Sequence, residues 1–265
     1  MKNYIFKLTA YILVAATFAA CQKVIDIDLN STDPKIVVQA NISDQSFCKV
    51  KLEQTINFDE TNSFPKVTGA VITITDEIGN TELLTETSQG IYEGTTLQGV
   101  AGRTYTLDIT TGGKTYTAVS VMPQPVEIDT LINQNNGGPF VSGKSINVKY
   151  HDPVGSETFY RFIQTVNNVE QDDIIIDTDL LADGEEVTTL IRPDNEDGYQ
   201  TGDTVNLFLL VIDKNVYDYF RTFQELGDGG GFGSTSPSNP LTNINNGALG
   251  YFSAHALSTK SIVVN

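Results

Sequence analysis

The chain has 265 residues with 33 Asp and Glu against 16 Lys and Arg, a formal net charge of −17. That excess of acid argues against nucleic acid or an anionic lipid surface as a partner, because either would be approached against its own sign of charge. Two cysteines and two histidines rule out a disulfide framework and Cys₄ or Cys₂His₂ zinc, and leave little for triad chemistry; the absence of Trp weakens a sugar-stacking role, although 11 Tyr could substitute.

Lys2 and Lys7 precede a nearly continuous apolar run, Leu8 to Phe18, and Phe18-Ala19-Ala20-Cys21 ends it with small residues before a cysteine. Residues 1–20 therefore read as a secretory signal, too short to span a bilayer. Because it ends on Cys21, it resembles a bacterial lipoprotein signal, in which the thiol takes a diacylglycerol and the cysteine becomes the acylated N-terminus. The alternative is an ordinary cleaved signal with an incidental cysteine. Acyl chains contribute about 0.8 kcal/mol per buried methylene, so a triacylated Cys21 would hold the protein on a membrane essentially permanently. Loss of Lys2 and Lys7 takes the formal charge from −17 to −19. Residues 21–33 form an acylated tether. Its acids Asp26 and Asp28 resemble the surface-export signal of Bacteroidota lipoproteins, or else mark an acidic linker that begins a strand.

From Pro34 the chain reads as β. Ile36 to Ile42 is rich in branched residues, and Cys48 to Gln54 alternates with period two. Ala70 to Asp76, a Gly79-Asn80 turn, Thr81 to Thr85 and Gly90 to Glu93 follow. Tyr105 to Thr110 and Tyr116 to Val121 pair across Gly112-Gly113, where a tight hairpin needs positive φ. Seven short strands in this stretch predict an immunoglobulin-like β-sandwich over 34–122. Cys48, on a strand with no histidine near it in sequence, reads as a small buried hydrophobe rather than a nucleophile. Met122-Pro123-Gln124-Pro125 breaks the pattern, since two closely spaced prolines disfavour both helix and central strand.

A second β-rich domain is expected over 126–265. Its strands are Ile128 to Ile132, Ser145 to His151, Phe159 to Val169, Asp173 to Asp177, Val187 to Ile191 and Thr204 to Asp213. The near-continuous apolar run Val205 to Ile212 predicts a strand buried on both faces. One amphipathic helix is expected over 214–226, with Asp213 as N-cap and Gly227 as C′. Its stripe of Val216, Tyr219, Phe220, Phe223 and Leu226 packs on the sheet or docks a partner. Residues 227–246 form a flexible loop, rich in Gly, Ser and Pro in its first part. A strand follows Asn246, and Ser261 to Val264 makes the last one.

Known chemistries find little purchase. Gly229-Gly230-Gly231-Phe232-Gly233-Ser234-Thr235 lacks the lysine of a phosphate loop. The acids from Asp172 to Glu186 and from Asp194 to Asp203 do not follow the EF-hand order and read as solvated loops. With 33 acids in the chain, a carboxylate pair for glycoside hydrolysis carries no specificity. His151 reads as the end of a strand before an Asp152-Pro153 turn, and His255 as a polar strand residue. No enzyme, metal or cofactor is expected.

Several stretches, in order along the mature chain, resemble a family of Bacteroidota lipoproteins known as domain of unknown function 4249. They are Cys21 to Asp28, Lys35 to Ala40, Val67 to Ile74, Gly99 to Leu107, Asn239-Pro240, Thr242-Asn243-Ile244 and Gly247 to Phe252. The resemblance implies an outer-membrane lipoprotein, often encoded beside a TonB-dependent transporter, and supplies no catalytic residue. The expectation is a lipid-anchored β protein at the cell surface or on the periplasmic face, assisting that transporter by capturing a small ligand, glycan or peptide or by capping it. The loop 227–246 and Tyr217, Tyr219, Phe220, Phe232 and Asn243 are the expected contact residues. The rivals are a structural adhesin or pilus-like subunit that pairs through its last strand, and a surface hydrolase acting through carboxylates.

Overall fold

Strand formation follows the alternation read from the sequence, and among the described residues of this computed structural model sixteen strands and one helix result. It describes residues 33–57, 63–135, 143–155, 157–178, 184–193, 197–227 and 239–265. Cys21, nearly all of the tether and Phe232 lie outside them. Residues 34–56 and 60–265 form one compact unit.

β1 (Ile36–Ser43), β2 (Ser46–Gln54), β6 (Ile91–Gln98) and β5 (Thr85–Ser88) lie side by side in one sheet. They face a second sheet of β4 (Thr81–Leu83), β3 (Val71–Asp76), β7 (Thr104–Thr111) and β8 (Lys114–Val121). This is the D-E-B-A against C′-C-F-G order of an immunoglobulin-like sandwich. Alternate residues fill the space between: Val38, Ala40, Ile42, Val50 and Leu52 from one sheet, Ile72, Ile74, Leu107 and Ile109 from the other. Cys48 is buried among them, and desolvation there drives its thiol far up, out of the reactive range. Gly112 and Gly113, at φ of 57° and 73°, make the two-residue turn that sets the β7–β8 register. Tyr105, at the start of β7, accepts the Val100 N–H on its hydroxyl at 2.7 Å, the tyrosine corner of such sandwiches.

One irregularity in the first sheet is answered across the sandwich. The β2–β6 register jumps from Lys49↔Glu93 to Phe47↔Gln98, so residues 94–97 have no partner on β2. The Glu82 carboxylate, from β4, accepts their N–H groups: Thr95 at 2.5 Å, Thr96 at 2.9 Å and Leu97 at 2.7 Å. Burial by itself would raise the Glu82 pKa, but these donors outweigh it and hold the carboxyl below its usual range. A depressed carboxyl contributes stability above its unfolded pKa and loses it as pH falls through the folded one. Glu82→Gln puts an NH₂ among N–H donors, and a loss of about 2–3 kcal/mol is expected, read as a lower urea midpoint with unchanged slope.

The second core lies between a three-stranded sheet and the continuation of the first sheet. β9 (Ile128–Gln134), β10 (Ser145–His151) and β14 (Glu186–Ile191) form the former in the order β14-β10-β9. The latter runs from β1 through β16 (Leu249–Val263) and β15 (Thr204–Ile212) to β11 (Phe159–Val166), which pairs with β12 (Val169–Glu170) and β13 (Ile175–Thr178). Met122 is the last residue before the prolines in the first core and Val126 the first of the second. His151 ends β10 as expected.

β16 differs from the sequence expectation of two separate pieces. It is one strand of 15 residues whose halves serve different partners. Leu249 to His255 pair in parallel with Val37 to Ser43 of β1, and Ala256 to Val263 pair antiparallel with β15. Phe252 and Ala254 therefore complete the first core, and Ala256 belongs to the second. Gly250, at φ of 94°, sits where β16 meets Val38, and a Cβ built there would overlap the Val38 carbonyl oxygen.

The one helix among the described residues, α1 (Lys214–Gly227), includes Gly227 rather than stopping before it. Asp213 caps it as expected, accepting the Val216 N–H at 3.0 Å. The other oxygen of the same carboxylate accepts Ser120 Oγ–H and the Val121 N–H, which ties the cap to the first sandwich. Val216, Tyr219 and Phe220 are buried against β11 and β15, while Phe223 and Leu226 stay exposed at 46% and 41%. Among the described residues no helix is long and apolar enough to cross a membrane.

Candidate functional site

The long sheet shows one face to the second core and its other face to α1. Period-two alternation sends Tyr160 and Phe162 of β11 into the core and leaves Phe159, Arg161 and Ile163 on the helix side. On β16 the same rule places Tyr251, Ser253, His255 and Leu257 on that side. A helix of 14 residues is about 21 Å long and covers only part of this face. Beside it lies a cavity of about 290 Å³. Its floor is apolar, built from Ile163, Phe208, Leu210 and Leu257. Its polar groups are Arg161, Asn41, Tyr251, Ser253 and His255, with Glu170 also lining it.

Arg161 is the unusual member. Its guanidinium carbon lies 3.9 Å from the centroid of the Phe220 ring. Phe220 in turn packs edge-on to Tyr251 at 4.9 Å, and Tyr219 lies 4.9 Å from Tyr251. A guanidinium stacked on a ring uses its face and leaves its in-plane N–H donors available. The Arg161 Nε is buried with no hydrogen-bond partner, and no carboxylate pairs with this side chain among the described residues.

His255 is buried on the neighbouring strand, its Nδ1 3.2 Å from Ser253 Oγ. Desolvation first, and the Arg161 charge second, push its pKa down to about 4, so the ring is neutral at physiological pH.

The expected contact residues divide. Phe220 lines the cavity. Tyr219 is buried behind it at 9% exposure, and Tyr217 stacks on Phe159 at 4.9 Å. The Asn243 side chain pairs with both backbone groups of Phe252, accepting its N–H at 3.0 Å and donating to its carbonyl at 2.7 Å. Asn245 and Asn246 reach Thr117 and Thr115, so the described end of the 227–246 loop is strapped across the edge of β8. Phe232 and the rest of that loop, residues 228–238, lie outside the described residues, as does Cys21.

Sequence reasoning did not single out Arg161, and it read His255 as an ordinary strand residue. The available signal was a lone cation inside a strand, Phe159 to Val166, that is apolar on both phases. Among the described residues no group of three or more His, Cys, Asp or Glu is placed to hold a metal ion. The acids of the 172–203 region have individual tasks: Asp177 accepts from Thr189 Oγ at 2.8 Å, and Asp203 from Asn167 Nδ2 at 2.8 Å.

No curated protein matches the chain at a significant level. Residues 22–261 match the family model described as "Domain of unknown function (DUF4249)". With almost all of its length beyond the signal-like segment matched, the chain belongs to that family.

Proposed function

We propose that the protein is a non-enzymatic lipoprotein of a Bacteroidota outer membrane that captures a small ligand for a TonB-dependent transporter. The capture role rests on one observation, the cavity beside α1 with a guanidinium that pairs with no acid among the described residues. A half-buried cation with a desolvated, unpartnered Nε carries a cost, and a site that waits for its partner explains why that cost is kept. The lipid anchor is supported by the ending of the signal on Cys21, and exposure at the cell surface by Asp26 and Asp28 close behind it.

The non-enzymatic reading is supported by the chemistry of the same cavity. Ser253 and His255 touch, as a nucleophile and its base would. A general base works best with a pKa near the operating pH, and at about 4 the His255 imidazole is a weak proton acceptor. Among the described residues the hydrogen bond of its ring is to Ser253, with no carboxylate to orient it.

The test is to isolate the tagged, acylated protein from mildly solubilised outer membranes and identify what accompanies it. A TonB-dependent transporter in stoichiometric amount is the expected result. Recovery of the protein by itself, or only with further copies of itself, would overturn the accessory role and favour a structural adhesin.

A further inference from the structure

We infer that the cavity beside α1 is a receptor for a small organic monocarboxylate with an apolar body, and that Arg161 is the group that holds the carboxylate. The inference rests on the ligand-capturing reading and adds the chemical class of the ligand.

Stacking on Phe220 fixes the plane of the Arg161 guanidinium before any ligand arrives. A fixed planar fork of N–H donors matches the two oxygens of a carboxylate, and charge-assisted bonds of this kind are the strong ones. The buried, unpartnered Nε is a donor whose desolvation nothing in the described protein repays. Asn41, Ser253 and Tyr251 add neutral polar groups on the same wall, and His255, neutral at physiological pH, adds no second cation.

Charge selects a monoanion. Among the described residues Arg161 is the one cationic side chain lining the cavity, and Glu170 lines it as well. A phosphate dianion would set its second charge against Glu170 without a second cation to meet it. The protein's net charge of −17 repels anions at long range, but salt screens that field beyond about 8 Å at physiological ionic strength. Recognition is therefore local, at the guanidinium.

The floor selects the rest of the molecule. Ile163, Phe208 and Leu257 stay half-buried on central strands because they face the cavity rather than other side chains. Covering them with an apolar ligand body gains roughly 25 cal/mol for each Å² removed from water. At about 290 Å³ the cavity lies at the lower end of the range for small-molecule sites, which fits a compact acid and not a folded peptide or a long glycan.

The experiment measures binding of 3-phenylpropanoate and hexanoate, and of their uncharged amides, to the full acylated protein in a non-ionic detergent. Calorimetry and ligand-observed NMR serve as readouts. The acids are expected to bind and the amides to bind at least tenfold more weakly, since a hydrogen bond to a charged group contributes about 1.5–3 kcal/mol. Arg161→Gln is expected to bring the acids down to the level of the amides while leaving the amides unchanged. Phe208→Ala is expected to weaken acids and amides alike. The melting midpoint of each variant checks its fold, and Arg161→Met serves as a second neutral replacement if Arg161→Gln is unstable. Equal affinity for acid and amide, undiminished acid binding by both Arg161 variants, or no binding of the acids by the unaltered protein would each overturn the assignment. Transporter co-purification is read without any of these probes, so a failure of the ligand class is distinguishable from a failure of the accessory role.

Discussion

Gly250→Ala is expected to destabilise the protein by about 3–5 kcal/mol. Two costs combine. The residue sits at φ of 94°, where an L side chain is strained. The new Cβ would also overlap the Val38 carbonyl, which belongs to the backbone of β1 and can move only if the parallel β1–β16 ladder opens. Gly247→Ala separates the two. Gly247 has a φ of 76° but nothing within 4 Å of a built Cβ, so it should lose only about 1 kcal/mol. Urea denaturation followed by far-UV circular dichroism compares the variants, and equal losses at the two glycines would show that the close approach to Val38 does not matter. β16 pairs with β1 through one half and β15 through the other, so both cores should be lost in the same transition.

Acidification from pH 7 to pH 4 is expected to remove on the order of 3 kcal/mol through His255 alone. The ring titrates near 6.5 once unfolded and at about 4 in the folded protein, where it is buried and faces the Arg161 charge. Between those values the unfolded state holds the extra proton. Stability therefore rises with pH through this window and is lost as pH falls, reaching its full loss near the folded pKa. The groups around the ring are Arg161 from β11, Ser253 on its own strand, Asn41 from β1 and Glu170 from β12. Glu82, Asp76 and Glu53, held below the usual carboxylate range against the opposing effect of burial, act at lower pH, below about 4.5. Their loss is thus separable from that of His255. Guanidinium denaturation of the unaltered protein and of His255→Gln, repeated between pH 7 and 4, measures the effect. The variant should have a flatter profile down to about pH 5, and a slope equal to that of the unaltered protein would sink the idea.

Much of the fold was legible because the information was local. β10 falls on Ser145 to His151 as expected, and the Gly112-Gly113 hairpin has the two positive φ values its sequence demands. Asp213 caps α1 because a carboxylate one residue before a helical stripe has free N–H groups directly above it. The immunoglobulin-like sandwich follows from regular turns between short alternating strands. Even the fate of Cys48 was readable, since a thiol on the apolar phase of a strand is buried with that phase.

The candidate site was not legible, because its members come from distant parts of the chain. Asn41, Arg161, Phe220 and His255 belong to β1, β11, α1 and β16, and only the sheet order brings them together. Alternation predicts that Arg161 and Phe159 share a face, but not which face α1 will cover or how far the helix will reach. The division of β16 between two partners had no local signal either. Pairing with β1 joins residues more than 200 positions apart, and Gly250 reads in sequence as an ordinary strand glycine until Val38 is set against it. The sequence by itself determined many of the strands, their turns and the capped helix, all of which depend on neighbours within a few residues. Only the tertiary structure decided that one strand would close two cores, and that a guanidinium stacked on Phe220 would line a cavity with an apolar floor, because those outcomes depend on which distant strands compete for the same edge.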